Sequence, residues 1–498
     1  MIAERLSEVS PSRAMLNDRR EGVVLVVDLD GTLLRNDVLQ ESFWSALARH
    51  WWTPLAAMRA LAAGGRPGLK RRLAELGPVR PSRLPYDEGV LALVQRWRAE
   101  GGRTALVTAA DAALARQVAT HVDLFDEVHG STPGRNLKGT VKAAFLAERF
   151  GPQGYVYVGD APADMPVWQG AAEAVTVTPS PRLRARVEAA MAASGGRAVT
   201  HLPSEAPGPA TWLRALRPHQ WAKNLLVFLP MLAAHQLDAI TLGQSALAFV
   251  AFSLIASAIY LLNDLLDLDA DRAHPRKRAR PFASGALSLA QGGLAAPVLL
   301  LAGLGCAALL GLEFLAVMLG YVIVTSAYSL SLKRRLVVDI CVLAGLYTLR
   351  IFAGGAATGI PLSVWLLAFS IFLFFSLAAV KRQAELVDGA ASGRSAAPGR
   401  GYQIEDLPIV AGMAIAAGYV SVLVMALYLT SPEVKALYAA PELLWGICLV
   451  LLYWISRVVM LTHRGRMHDD PVVFALRDPV SRLCVALVAG FAVVGTLL

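Results

Sequence analysis

Long apolar runs dominate the second half of the chain, and they constrain its fold more than any other feature. Nine runs near the roughly 20 residues that a helix needs to cross a bilayer follow residue 215. We therefore predict a polytopic all-α membrane domain with spans at 220–236, 240–262, 292–311, 313–331, 337–356, 361–380, 407–430, 441–462 and 480–498.

The first half of the chain mixes charged and apolar residues as soluble domains do. The stretch MIAERLSEVSPSRAMLNDRREG has no apolar core, so we expect no cleaved signal peptide. The stretch LPSEAPGPAT has the composition of a linker. We predict an N-terminal tail at 1–21, a soluble domain at 22–201 with a small helical cap at about 35–95, a linker and interfacial segment at 202–216, and the membrane domain at 217–498.

Basic residues concentrate in the loops that follow every second predicted span. Cytoplasmic loops are enriched in Lys and Arg, so we predict a multi-pass protein of a bacterial cytoplasmic membrane, with its soluble domain and active sites on the cytoplasmic side. The same enrichment explains the net charge of +9 without a nucleic-acid partner. The loops carry Arg272, Arg276, Lys277, Arg278 and Arg280, then Lys333, Arg334 and Arg335, then Lys381, Arg382, Arg394 and Arg400, then Arg464 and Arg466.

Polar residues end the apolar strands that the soluble domain is expected to contain. The run VVLVVDLDGTLL ends in Asp28 and Asp30, the run RTALVTAAD contains Thr108, and YVYVGDAPAD ends in Asp160 and Asp164. Strands that alternate with helical segments predict a doubly wound parallel sheet, which binds ligands at the carboxyl ends of its strands. The stretch NLKGTVK adds Lys138.

Carboxylates, a hydroxyl and a lysine at one sheet edge are groups that phosphoryl transfer uses. DxDGT at 28–32, Thr108, Lys138 and GDxxxD at 159–164 together resemble the haloacid dehalogenase (HAD) superfamily over residues 22 to about 200. The resemblance implies Asp28 as the nucleophile, Asp30 as general acid and base, and Thr108 and Lys138 as phosphate-binding residues. It also implies a Mg²⁺ site formed by Asp28, Asp30, Asp160 and Asp164. The alternative is a copy that keeps the fold without turnover.

An acidic motif follows the second predicted span in NDLLDLDADRAHPRKRARP. Asp264, Asp267 and Asp271 are spaced to share one helix face, with Asn263 beside them. Carboxylates gathered at a membrane boundary are expected to bind a cation, and all-oxygen ligands suit Mg²⁺ and a diphosphate. Asp269 falls off this face and is expected to be solvated.

Further polar residues gather at the predicted cytoplasmic ends of the spans and indicate an anion-binding pocket. Arg350 lies deeper, where a charge is costly unless it faces a polar cavity. Fixing topology is the competing role for the cations. The candidate phosphate-binding residues are Lys223, Asn224, Asn263, Arg272, Lys277, Arg280, Tyr328, Lys333, Asp339, Arg350, Lys381 and Arg382.

The motif NDxxDxxxD, the nine runs and the Tyr-Lys-Asp cluster after the fourth resemble the UbiA superfamily of intramembrane prenyltransferases over residues 212–498. RPHQWAKN, DRAHPRKRARP and YSLSLKR resemble more closely its decaprenyl-phosphate phosphoribosyltransferase branch. That resemblance implies Mg²⁺-dependent transfer of phosphoribose from phosphoribosyl diphosphate to a polyprenyl phosphate. Aromatic-acceptor members often carry a second Asp-rich motif after the fourth span, where this chain has only Asp339.

Fusion of two phosphate chemistries suggests that the HAD-like domain removes the 5-phosphate from the lipid product. One alternative is a UbiA-type enzyme that transfers a prenyl group from a prenyl diphosphate to an aromatic or other acceptor. A second is a transporter, although its polar residues would then be expected nearer the midplane. A third is a phosphatase that the spans merely anchor. The sequence leaves a homo-oligomer open.

Overall fold

The computed structural model describes residues 22–132, 134–195, 197–393, 400–467 and 470–497. The predicted tail at 1–21 and Arg394 lie outside this part of the chain. The described residues form two compact units. The first contains residues up to Ala215 together with Leu261–Leu294, and the second contains Leu216–Tyr260 and the chain from Ala295 onwards. The acidic motif therefore packs with the first unit.

A six-stranded parallel sheet forms the centre of the first unit, as the sequence predicts. Its order is β3-β2-β1-β4-β5-β6. In β1, Leu25 and Val27 face one apolar core while Val24 and Val26 face the other. Burial on both faces explains why this strand is an unbroken apolar run. The strands are β1 (Val24–Val27), β2 (Arg103–Asp111), β3 (Glu127–Ser131), β4 (Tyr155–Gly159), β5 (Glu173–Thr176) and β6 (Val199–His201).

Helices cover both faces of the sheet and connect its strands. Most are short enough for the crossovers of a doubly wound fold. They are α1 (Val38–Arg49), α2 (Thr53–Leu76), α3 (Glu88–Ala99), α4 (Ala112–Val122), α5 (Thr140–Phe150), α6 (Met165–Gly170), α7 (Pro181–Ala193) and α8 (Pro209–Leu216).

The predicted helical cap contains α1 and α2, and α2 is bent sharply on itself. Gly65 has a φ of 59° and a ψ of −157°, which interrupts the helix. The two halves of α2 then approach so closely that a Cβ on Gly68 would lie 3.1 Å from the carbonyl oxygen of Ala60. The cap therefore contains a helical hairpin, 53–64 and 66–76.

Long apolar helices make up most of the rest of the chain. In the described residues, eight helices are long and apolar enough to cross a membrane, which supports the predicted multi-pass membrane domain. The helices here are α9 (Leu229–Ala233), α10 (Ala239–Leu266), α11 (Leu268–Ala273), α12 (Leu289–Leu309), α13 (Leu312–Leu330), α14 (Val338–Thr358), α15 (Val364–Ala391), α16 (Leu407–Leu429), α17 (Pro432–Leu437), α18 (Trp445–His463), α19 (Pro471–Arg477) and α20 (Pro479–Leu497).

The first predicted span, 220–236, differs from the prediction of one regular helix. It consists of a 3₁₀ helix, Pro218–Phe228, followed by the short α9. Pro230 lacks the N–H that a continuous helix would use. Side chains also fix the tighter turns, because Trp221 donates to Ser257 at 3.0 Å and Asn224 donates to Ser253 at 3.1 Å. The described part of the chain thus contains eight long apolar helices where the sequence predicts nine.

Candidate active sites

Three carboxylates meet at the carboxyl end of the parallel sheet. Asp28 follows β1 and Asp160 follows β4, and these two strands are neighbours in the sheet. Asp164 lies in the 3₁₀ turn Pro162–Asp164. Carboxylate oxygens of the three residues lie within 4.8 Å of one another. The structure therefore brings together these three of the predicted phosphatase residues.

A buried lysine that the sequence analysis missed neutralises part of this charge. The Lys142 ammonium lies 2.8 Å from Oδ2 of Asp28 and 3.8 Å from Oδ1 of Asp164. It also donates to the Tyr157 hydroxyl at 2.9 Å, and that hydroxyl donates to Asp164 at 2.9 Å. Lys142 is 1% exposed. The nucleophile candidate Asp28 is thus held by an ammonium.

Asp30 precedes the cap and contacts the first residue of its first helix. Its carboxylate accepts a hydrogen bond of 2.7 Å from the backbone N–H of Val38, the first residue of α1. Burial, with further contributions from Asp37 and Asp28, raises the pKa of Asp30 to about 7. A carboxyl group with a pKa near neutrality can both donate and accept a proton, as general acid and base catalysis requires.

The turn after β1 fits tightly around Asp160. Gly31 has a φ of 73°, and a Cβ there would lie 2.2 Å from Oδ2 of Asp160. Thr32 donates to Oδ1 of Asp160 at 3.3 Å. Burial, followed by the charges of Asp28 and Asp164, raises the pKa of Asp160 to about 8.

The predicted phosphate-binding residues of this unit have different surroundings. Lys138 is exposed and lines a cavity of about 670 Å³ that also contains Asp28, Asp30 and Asp160. Thr108 is fully buried, and its hydroxyl accepts a hydrogen bond of 3.0 Å from the N–H of Ala110. Lys138 therefore faces the space for a substrate, whereas Thr108 supports the end of β2.

The donor set at the sheet edge fits Mg²⁺. Asp28, Asp160 and Asp164 supply only oxygen ligands, which this ion prefers. Burial raises the pKa of Asp160, the charges of Asp28 and Asp164 raise it further, and a bound cation would relieve that repulsion. Lys142 supplies a single opposing charge to the three carboxylates. A divalent cation therefore matches the chemistry of this cluster.

In the acidic motif, an arginine lies between two of the predicted metal ligands. Arg280 donates to Asp264 at 3.1 Å and to Asp271 at 2.6 Å, and both carboxylates are buried. α10 ends at Leu266 and α11 begins at Leu268, so Asp267 lies at the junction of the two helices. Arg280, predicted to bind a phosphate, thus offsets the charge of the motif. Asn263 is half-buried beside it, and Lys277 is exposed.

Two ion pairs join the acidic segment to the cap. Arg272, predicted to bind a phosphate, donates to both carboxylate oxygens of Glu41 in α1, at 3.0 and 2.6 Å. Both side chains are buried. Asp269 is exposed, as expected, and it also accepts a hydrogen bond of 2.7 Å from Arg83. A bidentate buried pair is a strong contact, so the Arg272 side chain serves structure in this arrangement.

In the second unit, two lysines converge on an aspartate that the sequence analysis missed. Asp470 lies 2.7 Å from the Lys223 ammonium and 2.9 Å from that of Lys381. Its other oxygen accepts a hydrogen bond of 3.0 Å from Tyr347. Burial opposes its charge, but Lys381 and Lys223 outweigh burial and lower the pKa of Asp470. Asp470 positions two of the predicted phosphate-binding residues.

Arg350 lies inside α14, and polar partners surround it as expected for a charge at that depth. It donates to Asn224 at 3.0 Å and to the Tyr321 hydroxyl at 3.2 Å. The rings of Phe252, Tyr321 and Tyr347 lie 5.7, 5.2 and 5.7 Å from its guanidinium carbon. Cation–π contacts in a desolvated site are favourable. Arg350 and Asn224 therefore form one cluster with the two lysines around Tyr347.

A second polar cluster surrounds Asp339. This carboxylate is fully buried, 2.8 Å from Nε of Arg382, and it accepts a hydrogen bond of 2.6 Å from Tyr402. Tyr328 accepts a hydrogen bond of 2.8 Å from Arg400, whose guanidinium also contacts the backbone carbonyl of Lys333 at 3.5 Å. Asp339 lies in α14 and Arg382 in α15, and both are buried, so their ion pair joins the two helices.

Family comparisons match both parts of the chain. The model of the UbiA prenyltransferase family matches residues 224–477, and that of haloacid dehalogenase-like hydrolases matches residues 25–169. The uncharacterized protein y4nM of Sinorhizobium fredii is 39% identical over 469 residues, which cover 93% of this chain and 89% of that protein. The matches follow the division between the phosphatase-like motifs and the apolar runs.

Two further comparisons cover only part of this chain. The decaprenyl-phosphate phosphoribosyltransferase of Mycobacterium tuberculosis is 43% identical over 179 residues, which are 35% of this chain and 59% of that protein. A solved UbiA homolog from Archaeoglobus fulgidus, bound to GPP and Mg²⁺, is 17% identical with a TM-score of 0.44, and covers 56% of this chain and 99% of that one.

Proposed function

Because the chain belongs to the UbiA prenyltransferase family, we propose that its membrane part transfers phosphoribose from phosphoribosyl diphosphate to a polyprenyl phosphate. The products are polyprenyl-phosphoryl 5-phosphoribose and pyrophosphate. The similarity to a decaprenyl-phosphate phosphoribosyltransferase supports this choice of substrates. The proposed setting is a bacterial cytoplasmic membrane, with both reactions on the cytoplasmic side.

The observation that carries the proposal is the excess of buried positive charge in the second unit. Lys223 and Arg350 are buried and Lys381 is half-buried. Asp470 is the carboxylate that the two lysines contact. Phosphoribosyl diphosphate carries phosphates on both sides of the sugar, and the lipid acceptor carries another. A neutral aromatic acceptor needs no such cations, so these substrates fit the charge better than those of an aromatic prenyltransferase.

The acidic motif is proposed to bind Mg²⁺ through Asp264, Asp267 and Asp271. All three offer oxygen ligands, and bound Mg²⁺ supplies charge neutralisation for a leaving diphosphate. Arg280 contacts two of these carboxylates, so a bound Mg²⁺ would compete with that arginine for them. Its guanidinium can then contact a phosphate oxygen, which is the role that the sequence predicts for it.

The transfer itself needs little acid–base catalysis by the protein. An oxygen of the lipid phosphate attacks the anomeric carbon, and the bond from that carbon to the diphosphate breaks. The acceptor is already an anion, so no side chain needs to remove a proton. Lys223 and Lys381 are proposed to orient phosphate oxygens, because their ammonium groups are held by Asp470.

The HAD-like domain is proposed to hydrolyse the 5-phosphate of the lipid product. Asp28 attacks phosphorus and forms an aspartyl-phosphate, and Asp30 protonates the leaving oxygen and then activates water. Lys142 and Lys138 contact the phosphoryl oxygens from the buried and the open side of the cavity. The products are polyprenyl-phosphoryl ribose and inorganic phosphate.

One experiment separates the two reactions. The purified protein is incubated with radiolabelled phosphoribosyl diphosphate, polyprenyl phosphate and Mg²⁺, and the lipids are resolved by chromatography. Wild type should yield the dephosphorylated lipid, Asp28→Asn the phosphorylated one, and Lys223→Met little of either. Identical lipids from wild type and Asp28→Asn would reject the phosphatase role. A parallel incubation replaces the donor with a radiolabelled prenyl diphosphate, and labelled product formed only there would reject the phosphoribosyl donor.

A further inference from the structure

The cap hairpin leaves an unusual amount of apolar surface uncovered. Of the 24 residues of α2, only Thr53 and Leu73 are buried. Trp51, Leu55, Met58 and Leu61 are 80%, 55%, 67% and 46% exposed. Leu55, Met58 and Leu61 are spaced by three residues, so they follow one side of the helix. We call these four residues the apolar row. Exposed apolar rows usually mark an interaction surface.

Positive charge lies next to the apolar row. The hairpin contains Arg59, Arg66, Lys70, Arg71 and Arg72 against the single acidic residue Glu75. A groove of about 610 Å³ runs along the hairpin, and Trp52 and Leu55 line it together with Arg59 and Arg72. Apolar side chains beside a cluster of arginines and lysines are typical of helices that bind at the surface of an anionic bilayer.

The cap is also attached to the segment that connects two candidate spans. Arg272 binds Glu41 of α1, and a Cβ on Gly293 would lie 3.0 Å from the ring of Trp44, which is also in α1. Gly293 lies in α12, and the acidic segment begins at the end of α10. Both helices are candidate spans. Residues that connect two spans lie near the bilayer surface, so α1 is held at that level.

One residue connects the apolar row with the phosphatase cavity. Leu61 is part of the row, and it also lines the cavity that contains Asp28. Arg66 and Lys70, from the second half of the hairpin, line the same cavity. The hairpin thus presents both an apolar side chain of the row and two cations to the cavity. An amphiphilic phosphate ester has the matching arrangement of tail and headgroup.

We propose that the apolar row and its neighbouring arginines dock the cap onto the anionic bilayer surface, so that the phosphatase site takes its substrate from the membrane. The activity part of this inference rests on the proposed phosphatase function, whereas the docking part does not. Docking selects for lipid phosphomonoesters over water-soluble ones, because only the former reach the cavity along the bilayer.

The test uses the full-length protein in nanodiscs of phosphatidylcholine with or without about 30% phosphatidylglycerol. Brominated lipids quench tryptophans that reach the bilayer, so wild type should lose more fluorescence than Trp51→Phe. Leu55→Ser/Met58→Ser should slow hydrolysis of a lipid phosphomonoester about tenfold or more, because burial of these side chains in the interface is favourable. Hydrolysis of ribose 5-phosphate should not change.

Charge is tested by matched pairs of arginine variants. Arg59→Gln/Arg72→Gln should abolish the stimulation by phosphatidylglycerol, whereas Arg182→Gln/Arg186→Gln on exposed positions of α7 should keep it. Equal quenching of wild type and Trp51→Phe would overturn the docking. Equal loss on lipid and soluble substrates would overturn the selection for membrane substrates. A change of oligomeric state in Leu55→Ser/Met58→Ser would assign the row to a protein interface instead. Failure of wild type on every phosphate ester would reject the phosphatase function, while the quenching still tests docking.

Discussion

Replacing Lys142 by methionine is expected to damage the phosphatase site far more than the same change at Lys138. Lys142 is buried, 2.8 Å from Asp28 and 3.8 Å from Asp164. Removing one partner of a buried ion pair typically costs about 3–5 kcal/mol. For a unit of this size, that lowers the unfolding temperature by about 6–20 °C. Lys138 is exposed, so its removal should leave stability unchanged.

The assay combines thermal unfolding of the full-length protein in detergent with hydrolysis of a soluble phosphomonoester. A loss of about 3 kcal/mol of transition-state stabilisation in Lys142→Met would lower the rate of hydrolysis at least 100-fold, since each 1.4 kcal/mol is about tenfold. Lys138→Met should mainly raise KM, because Lys138 lines the open side of the cavity. Near-normal activity and stability of Lys142→Met would refute this reasoning, and so would an equal loss of both properties in Lys138→Met.

Three other predictions follow from the geometry. Gly31→Ala should destabilise the first unit by about 2 kcal/mol or more and stop hydrolysis, because its Cβ would lie 2.2 Å from Asp160 and φ is positive; unfolding temperature and phosphate release measure this. In EDTA, the free energy of unfolding should fall as pH rises from about 5 to 8. The folded state keeps a proton on Asp160, whose pKa is about 8, whereas the unfolded chain loses that proton near pH 4. Asp160→Asn should flatten the dependence of stability on pH, and Mg²⁺ should restore stability at pH 8. Asp470→Asn should lower stability by about 3 kcal/mol and abolish transfer, because two lysines lose their carboxylate; unchanged unfolding and lipid labelling would contradict it.

The sheet and its carboxylates could be predicted because parallel strands impose a shared edge. Asp28 and Asp160 end strands that the apolar pattern identifies, and neighbouring parallel strands must bring their ends together. Lys142 could not be identified in the same way. It lies one helical turn after Lys138, and only the start of α5 at Thr140 decides which of them is buried. The available signal was a lysine near the start of a helix, in the stretch of sequence between two strands that end at aspartates.

Sequence patterns could not predict contacts between residues that lie far apart in the chain. Asp470 lies 247 residues from Lys223 and 89 from Lys381. The sequence indicates only that Asp470 caps a short helix beginning with a proline, and Asp470 does cap that helix. Arg272 likewise reads as a phosphate ligand because its partner Glu41 is 231 residues away. Charge alone could not distinguish a ligand-binding arginine from a structural one.

The packing of Leu261–Leu294 with the first unit determines how the two proposed activities can be tested separately. Deleting the N-terminal domain would keep every candidate span, but Arg272 would lose Glu41 and Asp269 would lose Arg83. A shortened gene would therefore encode a transferase whose acidic loop has lost its supports. Inactive truncations of this protein would then say nothing about which domain carries the chemistry. Single substitutions such as Asp28→Asn leave those supports in place, and they are the cleaner way to separate the two proposed activities.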